Sequence, residues 1–189
     1  MTSAQRVFER RRIWRLPHAT FLHAARLIAE AEEPHRPQTV IGIARGGTRL
    51  AEVVAGHLGV HAVIMTARHN TSDASLLPAT GRVHLDGDQP PLSRVERGSR
   101  LLLVDDIAAS GATLRAVTGW LTDRLQPTVL RTAVLCRNQG TDLTPNTWGW
   151  DVADWVRFPW EDEPGHATEP LPALTVLHHR ERPLPPSTH

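Results

Sequence analysis

The residues most able to do chemistry lie in Leu101–Leu114, LLLVDDIAASGATL. An apolar run ends in two carboxylates, Asp105 and Asp106, and a turn of small residues then leads into a helical pattern. Small residues at Ala108, Ala109, Ser110, Gly111, Ala112 and Thr113 let backbone N–H groups converge on an anion, and a helix N-terminus adds a favourable dipole. Ser110 and Thr113 add hydroxyl donors. Two carboxylates beside an anion cradle repel it unless a polyhydroxylated or cationic group sits between. A ribose diol and a Mg²⁺ held by Asp105 and Asp106, directly or through water, meet that need. An Asp pair that only caps a helix has the same spelling.

A second segment, Ala44-Arg45-Gly46-Gly47, ends another apolar run. Gly46 and Gly47 leave amides free to face an anion, and Arg45 can add a cation or point to solvent. Other phosphate signatures are missing: the chain has no GxxxxGK[ST], and Gly42–Gly47 is not GxGxxG.

The elements that must position these segments alternate. Helical spacing is predicted over Thr20–Glu33, Thr48–Leu58 and Ala112–Leu125, and strands over Val40–Ala44, Val60–Thr66, Leu101–Asp105, Val129–Cys136 and Asp151–Val156. Alternation from Val40 to Cys136 implies an α/β fold, a parallel sheet flanked by helices, with a ligand crevice at the carboxyl ends of its strands. Arg68–Gly98 carries Gly, Pro, Asp, Asn and Ser throughout, with a weak hairpin signal at Val83–Asp88, and reads as a functional lid or mobile loop.

The combination of apolar strand, Asp-Asp and Ser-Gly-Ala-Thr turn resembles the phosphoribosyl pyrophosphate (PRPP) signature of the type I phosphoribosyltransferases. IGIARGG looks like that family's pyrophosphate loop, in the right order along the chain. The resemblance implies a Rossmann-like parallel sheet with a small hood at about 140–162. It implies Mg²⁺ as cofactor, PRPP and a small heterocyclic acceptor as partners, and a homodimer or homotetramer. It makes Arg68–Gly98 the mobile catalytic loop, with Arg68 and His69 in reach of the pyrophosphate. It assigns the 5-phosphate to Ala108–Thr113, the pyrophosphate to Ala44–Gly47, and catalysis to Asp105, Asp106 and Arg68.

The Trp-rich stretch ADWVRFPWE, residues 153–161, is similar to the hood of xanthine-guanine and related 6-oxopurine enzymes. Carried over, Trp155 stacks on the base, Val156 supplies main-chain contacts, and Pro159 and Trp160 pack the hood on the core. All four Trp from Trp148 to Trp160 as packing residues is the other reading. Arg137 stands where those relatives have a Lys donor for the 6-oxo group, and always donates. The turn departs from them at Ala109, where they carry an Asp for purine N7. Two further readings follow: a PRPP- or nucleotide-sensing regulator without turnover, and a specialised-metabolism enzyme with a non-nucleobase acceptor.

The bulk numbers bound the rest. The 189 residues suit one domain, expected over 1–164, with a Pro-rich peripheral or disordered tail over 165–189. Net charge is +1, which points to neither nucleic acid nor a membrane surface. Basic Met1–Arg12 has no apolar run behind it and reads as a solvated, partly frayed end. One cysteine, Cys136, suits a reducing cytoplasm. His166, His178 and His179 lack the spacing of a zinc site and read as solvated.

Overall fold

The computed structural model describes residues 7–68, 84–85, 90–161 and 167–180. The chain runs β1 (Ile13–Arg15), α1 (His18–Glu32), β2 (Thr39–Ala44), α2 (Gly47–Leu58), β3 (His61–Arg68) and β4 (His84–Leu85). It continues through β5 (Arg100–Ala108), α3 (Ala112–Leu125), β6 (Val129–Asn138), β7 (Thr147–Val152), β8 (Trp155–Arg157), β9 (Glu169–Pro170) and β10 (His178–His179). The longest apolar runs become the inner strands β2, β5 and β6, because a strand covered on both faces must be apolar at successive positions.

Among the described residues the main sheet has the order β10-β7-β6-β5-β2-β3-β4. Pairing from β7 to β3 is parallel, and the edge strands β10 and β4 pair antiparallel. One face is covered by α1 and α2 through Phe21, Ile28, Leu50 and Val54. The other is covered by α3 through Leu114, Val117, Leu121 and Leu125. From β2 the chain crosses over to β3 on one side; from β5 it crosses to β6 on the other. The two crossovers diverge between β2 and β5, so a crevice opens at their carboxyl ends. Pairing of β2 with β5 ends at Gly42↔Val104, while β2 stays with β3 to Ala44↔Thr66.

Three expectations are corrected. The hood is not a block from about 140 to 162. Thr147–Val152 belongs to the main sheet, and the chain leaves it at Ala153–Asp154, so the predicted strand Asp151–Val156 is two strands. The small sheet is β8-β1-β9, with Ile13↔Trp155, Trp14↔Val156 and Trp14↔Glu169 in parallel register. The N-terminal stretch therefore does not fray from residue 7 onward. Nor is the chain peripheral over 167–180: Leu171, Leu174 and Leu177 are buried in the α1/α2 core, and the Trp150 indole donates to the Pro172 carbonyl at 3.0 Å. Each buried Leu contributes about 1.5–3 kcal/mol toward holding the segment in place. No helix among the described residues is long and apolar enough to cross a membrane.

Candidate active site

Side chains on β5 should alternate between faces. They do not across the acidic pair. Val104 and Ile107 both face the α1/α2 core, while Leu103 and Ala108 both face the α3 core. The pleat slips by one residue over Asp105–Asp106. Strand β6 slips with it, since the ladder stays in register from Val104↔Ala133 to Ile107↔Cys136 and Ala133 and Cys136 share one core. Both carboxylates then line the crevice instead of being forced into an apolar face. The Asp106 amide donates to Asp105 Oδ1 at 3.0 Å. Burial first, and the Asp106 charge second, hold the Asp105 carboxyl well above the usual carboxylate range. The pair thus disfavours a second negative charge, which a cation placed between the carboxyls would make favourable.

The Ala44–Gly47 loop closes directly on that pair. A methyl group added at Gly46 would overlap the Asp106 carboxylate, and one at Gly47 would lie 2.6 Å from the Val104 carbonyl oxygen. Smallness is therefore what the loop requires of both glycines, beyond the free amides expected from sequence. The Ala44–Arg45 peptide is cis. Arg45 is exposed.

On the other wall, Gly111 sits at the N-cap of α3 with φ of 77°, a conformation that favours glycine. A Cβ there would meet Leu143 Cβ at 2.5 Å. Gly111 offers the helix no side-chain cap, and the Ser110 hydroxyl accepts from the Ala112 amide at 3.4 Å. Arg115 holds the turn from behind, donating to the Ser110 carbonyl at 2.9 Å and to Asp142 at 2.5 Å. Ala44, Gly46, Asp105, Asp106 and Ala108–Gly111 with Thr113 line one cleft of about 240 Å³. A larger hollow of about 450 Å³ lies at the opposite, amino ends of the strands, between Glu33–Gln38 and Leu58–His61. It has neither a carboxylate pair nor a small-residue turn at a helix start, so the smaller cleft is the chemical candidate.

The residues expected to face an acceptor are more spread. Arg137 pairs across β5 with Ala108. Its Nε donates to Asp151 Oδ1 at 2.7 Å, and its guanidinium lies 4.4 Å from the centroid of the Trp148 ring. The Trp148 indole donates to the same Asp151 oxygen. Among the described residues the Nη groups of Arg137 donate to no other protein acceptor. Trp155 lies in β8 with the Phe8 ring stacked on it at 5.7 Å. Val156 is buried in the core, and its backbone lies opposite Trp14 in the β1/β8 pair. Trp160 stacks on Phe158 and meets Phe21 edge-on, a packing role. Arg68 ends β3 opposite His84. His69 and most of the expected lid lie outside the described residues, as does His166. His178 stacks on Trp148, and no cluster of three metal-ligating side chains occurs among the described residues.

Sequence reasoning missed Arg115, Asp151, Asn138 and Phe8. Arg115 and Asp151 act through partners 27 and 14 residues away, and no local spacing encodes that. The Mg²⁺ expectation fits the donor set: two carboxylates from the chain, with the remaining positions left to substrate oxygens and water, is how Mg²⁺ is commonly held.

Comparison with known proteins follows the same line. A family model described as phosphoribosyl transferase domain matches residues 17–163. Among solved structures, a purine phosphoribosyltransferase from Pyrococcus horikoshii is 23% identical, with a TM-score of 0.65, over 82% of this chain and 99% of that one. The Helicobacter pylori xanthine-guanine-hypoxanthine phosphoribosyltransferase is 20% identical, with a TM-score of 0.63, over 79% and 93%. A hypoxanthine phosphoribosyltransferase from Staphylococcus aureus is 16% identical, with a TM-score of 0.60, over 74% and 76%. At these identities the likeness is one of fold. A search of curated proteins gave no match.

Proposed function

The chain belongs to the phosphoribosyl transferase domain family, and from that premise we propose that it joins the 5-phosphoribosyl group of PRPP to a ring nitrogen of a 6-oxopurine, releasing pyrophosphate. The observation that carries this reading is the closure of Gly46–Gly47 on Asp105–Asp106 beside the Ala109–Thr113 turn, in one cleft. The turn and the α3 N-terminus take the 5-phosphate. Asp105 and Asp106 orient the ribose diol and would hold a Mg²⁺, which would supply positive charge to neutralise the pyrophosphate leaving group. Ala44–Gly47 receive that pyrophosphate, with Arg68 drawn in from the end of β3. The bond from C1 of the ribose to the pyrophosphate oxygen breaks, a base nitrogen bonds to C1, and that nitrogen's proton leaves to solvent or a neighbouring group. Ala109 cannot take it. Positioning and electrostatics supply the acceleration.

For the acceptor, Arg137 supports a carbonyl-bearing ring. Asp151 and Trp148 fix its plane, and its remaining donors suit an oxo group and oppose an exocyclic amine. Trp155 supplies a ring face and Val156 a backbone edge. Pyrophosphate release from Mg²⁺–PRPP tests this across hypoxanthine, guanine, xanthine, adenine, orotate and uracil. Release is expected with one or more of the first three and not with adenine. Release with adenine alone contradicts the acceptor assignment. PRPP binding without release from any base favours the sensing regulator, the reading that Ala109 supports.

A further inference from the structure

The N-terminal segment does not pass the hood at random. The buried Asn138 side chain, 0% exposed, accepts from the Val7 amide at 2.9 Å and donates to the Val7 carbonyl at 2.9 Å, as a neighbouring strand would. The Glu9 amide donates to the Ala153 carbonyl at 2.9 Å, and the Arg11 amide donates to buried Asp154 at 3.3 Å. Residues 7–11 therefore bridge the end of β6, immediately after Arg137, and the turn that leads to Trp155. Between the two anchors, the Phe8 ring lies on the Trp155 ring with 22° between planes. Phe8 stays 40% exposed, one of the few large apolar side chains so exposed among the described residues.

We propose that Phe8 is a specificity residue of the acceptor subsite, held on a strap of residues 7–11, and that it competes with the acceptor heterocycle for the ring face of Trp155. The inference rests on the acceptor reading above. At 5.7 Å between centroids no third ring fits between the two, since a sandwich needs about 7 Å for two van der Waals gaps. A heterocycle reaching that face of Trp155 must displace Phe8. Only acceptors whose contacts to Arg137 and to the Val156 backbone outweigh one aromatic pair succeed, which selects against rings lacking a group for Arg137.

Hydrogen exchange on the full chain, titrated with guanosine 5′-monophosphate, tests this through binding alone. The nucleotide is expected to slow exchange at the Ala109–Thr113 amides and to speed it at Val7 and Glu9. Phe8→Ala is expected to bind the nucleotide about two- to tenfold more tightly, the worth of one aromatic pair, whereas Phe8→Trp keeps wild-type affinity. Protection of Ala109–Thr113 with exchange at Val7 and Glu9 unchanged or slowed overturns the strap and leaves the transferase reading intact. So does a Phe8→Ala variant that binds no more tightly than wild type. Absence of protection at Ala109–Thr113 in both wild type and Phe8→Ala overturns the two together.

Discussion

At the scale of single residues, Asp105 and Gly46 are the most constrained positions. Gly46 is small because the Asp106 carboxylate lies where its side chain would be. Asp105 bears the opposite kind of constraint, a carboxyl whose ionised form burial and the Asp106 charge disfavour. Because its carboxyl is pushed above the usual range, the folded chain holds that proton more tightly than the unfolded chain does. Stability contributed by the site is present at low pH and is lost as pH rises from the ordinary carboxylate range through the raised value. Asp105→Asn removes that loss. The variant is expected to unfold at a higher temperature than wild type above this window, with a flatter dependence on pH, while turnover falls by about a hundred- to a thousandfold. Calorimetry over a pH series, paired with pyrophosphate release, reads both. Earlier melting of Asp105→Asn at neutral pH would contradict this account of the pair. The identity of these residues was plain from LLLVDDIAASGATL. Their mutual fit was not, because the contact of Gly46 with Asp106 spans sixty positions.

At the scale of elements, what was legible followed burial. Helix α3 falls on its predicted bounds and the inner strands within a few residues, because each carries a continuous apolar run or a helical stripe. The short strands were silent. Two or three residues at β1, β9 and β10 carry no period, and β1 gains its pairing only by meeting β8 and β9 from the far end of the chain. The Pro-rich composition after Pro164 also argued for a loose tail. The signal that outweighs it is the three-residue spacing of Leu171, Leu174 and Leu177, each set into the core. Leu174→Ala is expected to cost about 2–4 kcal/mol, lowering the unfolding midpoint by roughly 5–15 °C. Thermal unfolding checks it; a change within about 0.5 kcal/mol would mean that the segment is peripheral after all. The buried Glu32, bidentate to Arg131 and hydrogen-bonded by Thr147, ties α1 to β6 and β7 behind this segment.

At the scale of the whole molecule, the crevice is a consequence of topology before it is one of side chains. Two crossovers that diverge from β2 and β5 leave their carboxyl ends uncovered, and the two loops that begin there are the two the sequence marked for anions. The α/β alternation from Val40 to Cys136 made that end of the sheet predictable. The hood was less so, because its small sheet is gathered from residues 13–15, 155–157 and 169–170, and the strap over Trp155 comes from still nearer the N-terminus. The residues proposed for the donor are therefore written locally, and those proposed for the acceptor are gathered from distant parts of the chain. The central claim is that the cleft shared by Asp105, Asp106, Gly46 and the Ala109–Thr113 turn binds Mg²⁺–PRPP and transfers its phosphoribosyl group. Its most direct test is pyrophosphate release from Mg²⁺–PRPP with a 6-oxopurine, measured for wild type and for the folded double variant Asp105→Asn with Asp106→Asn. The account predicts release by wild type and none above background from the double variant; release by the double variant at the wild-type rate would contradict it.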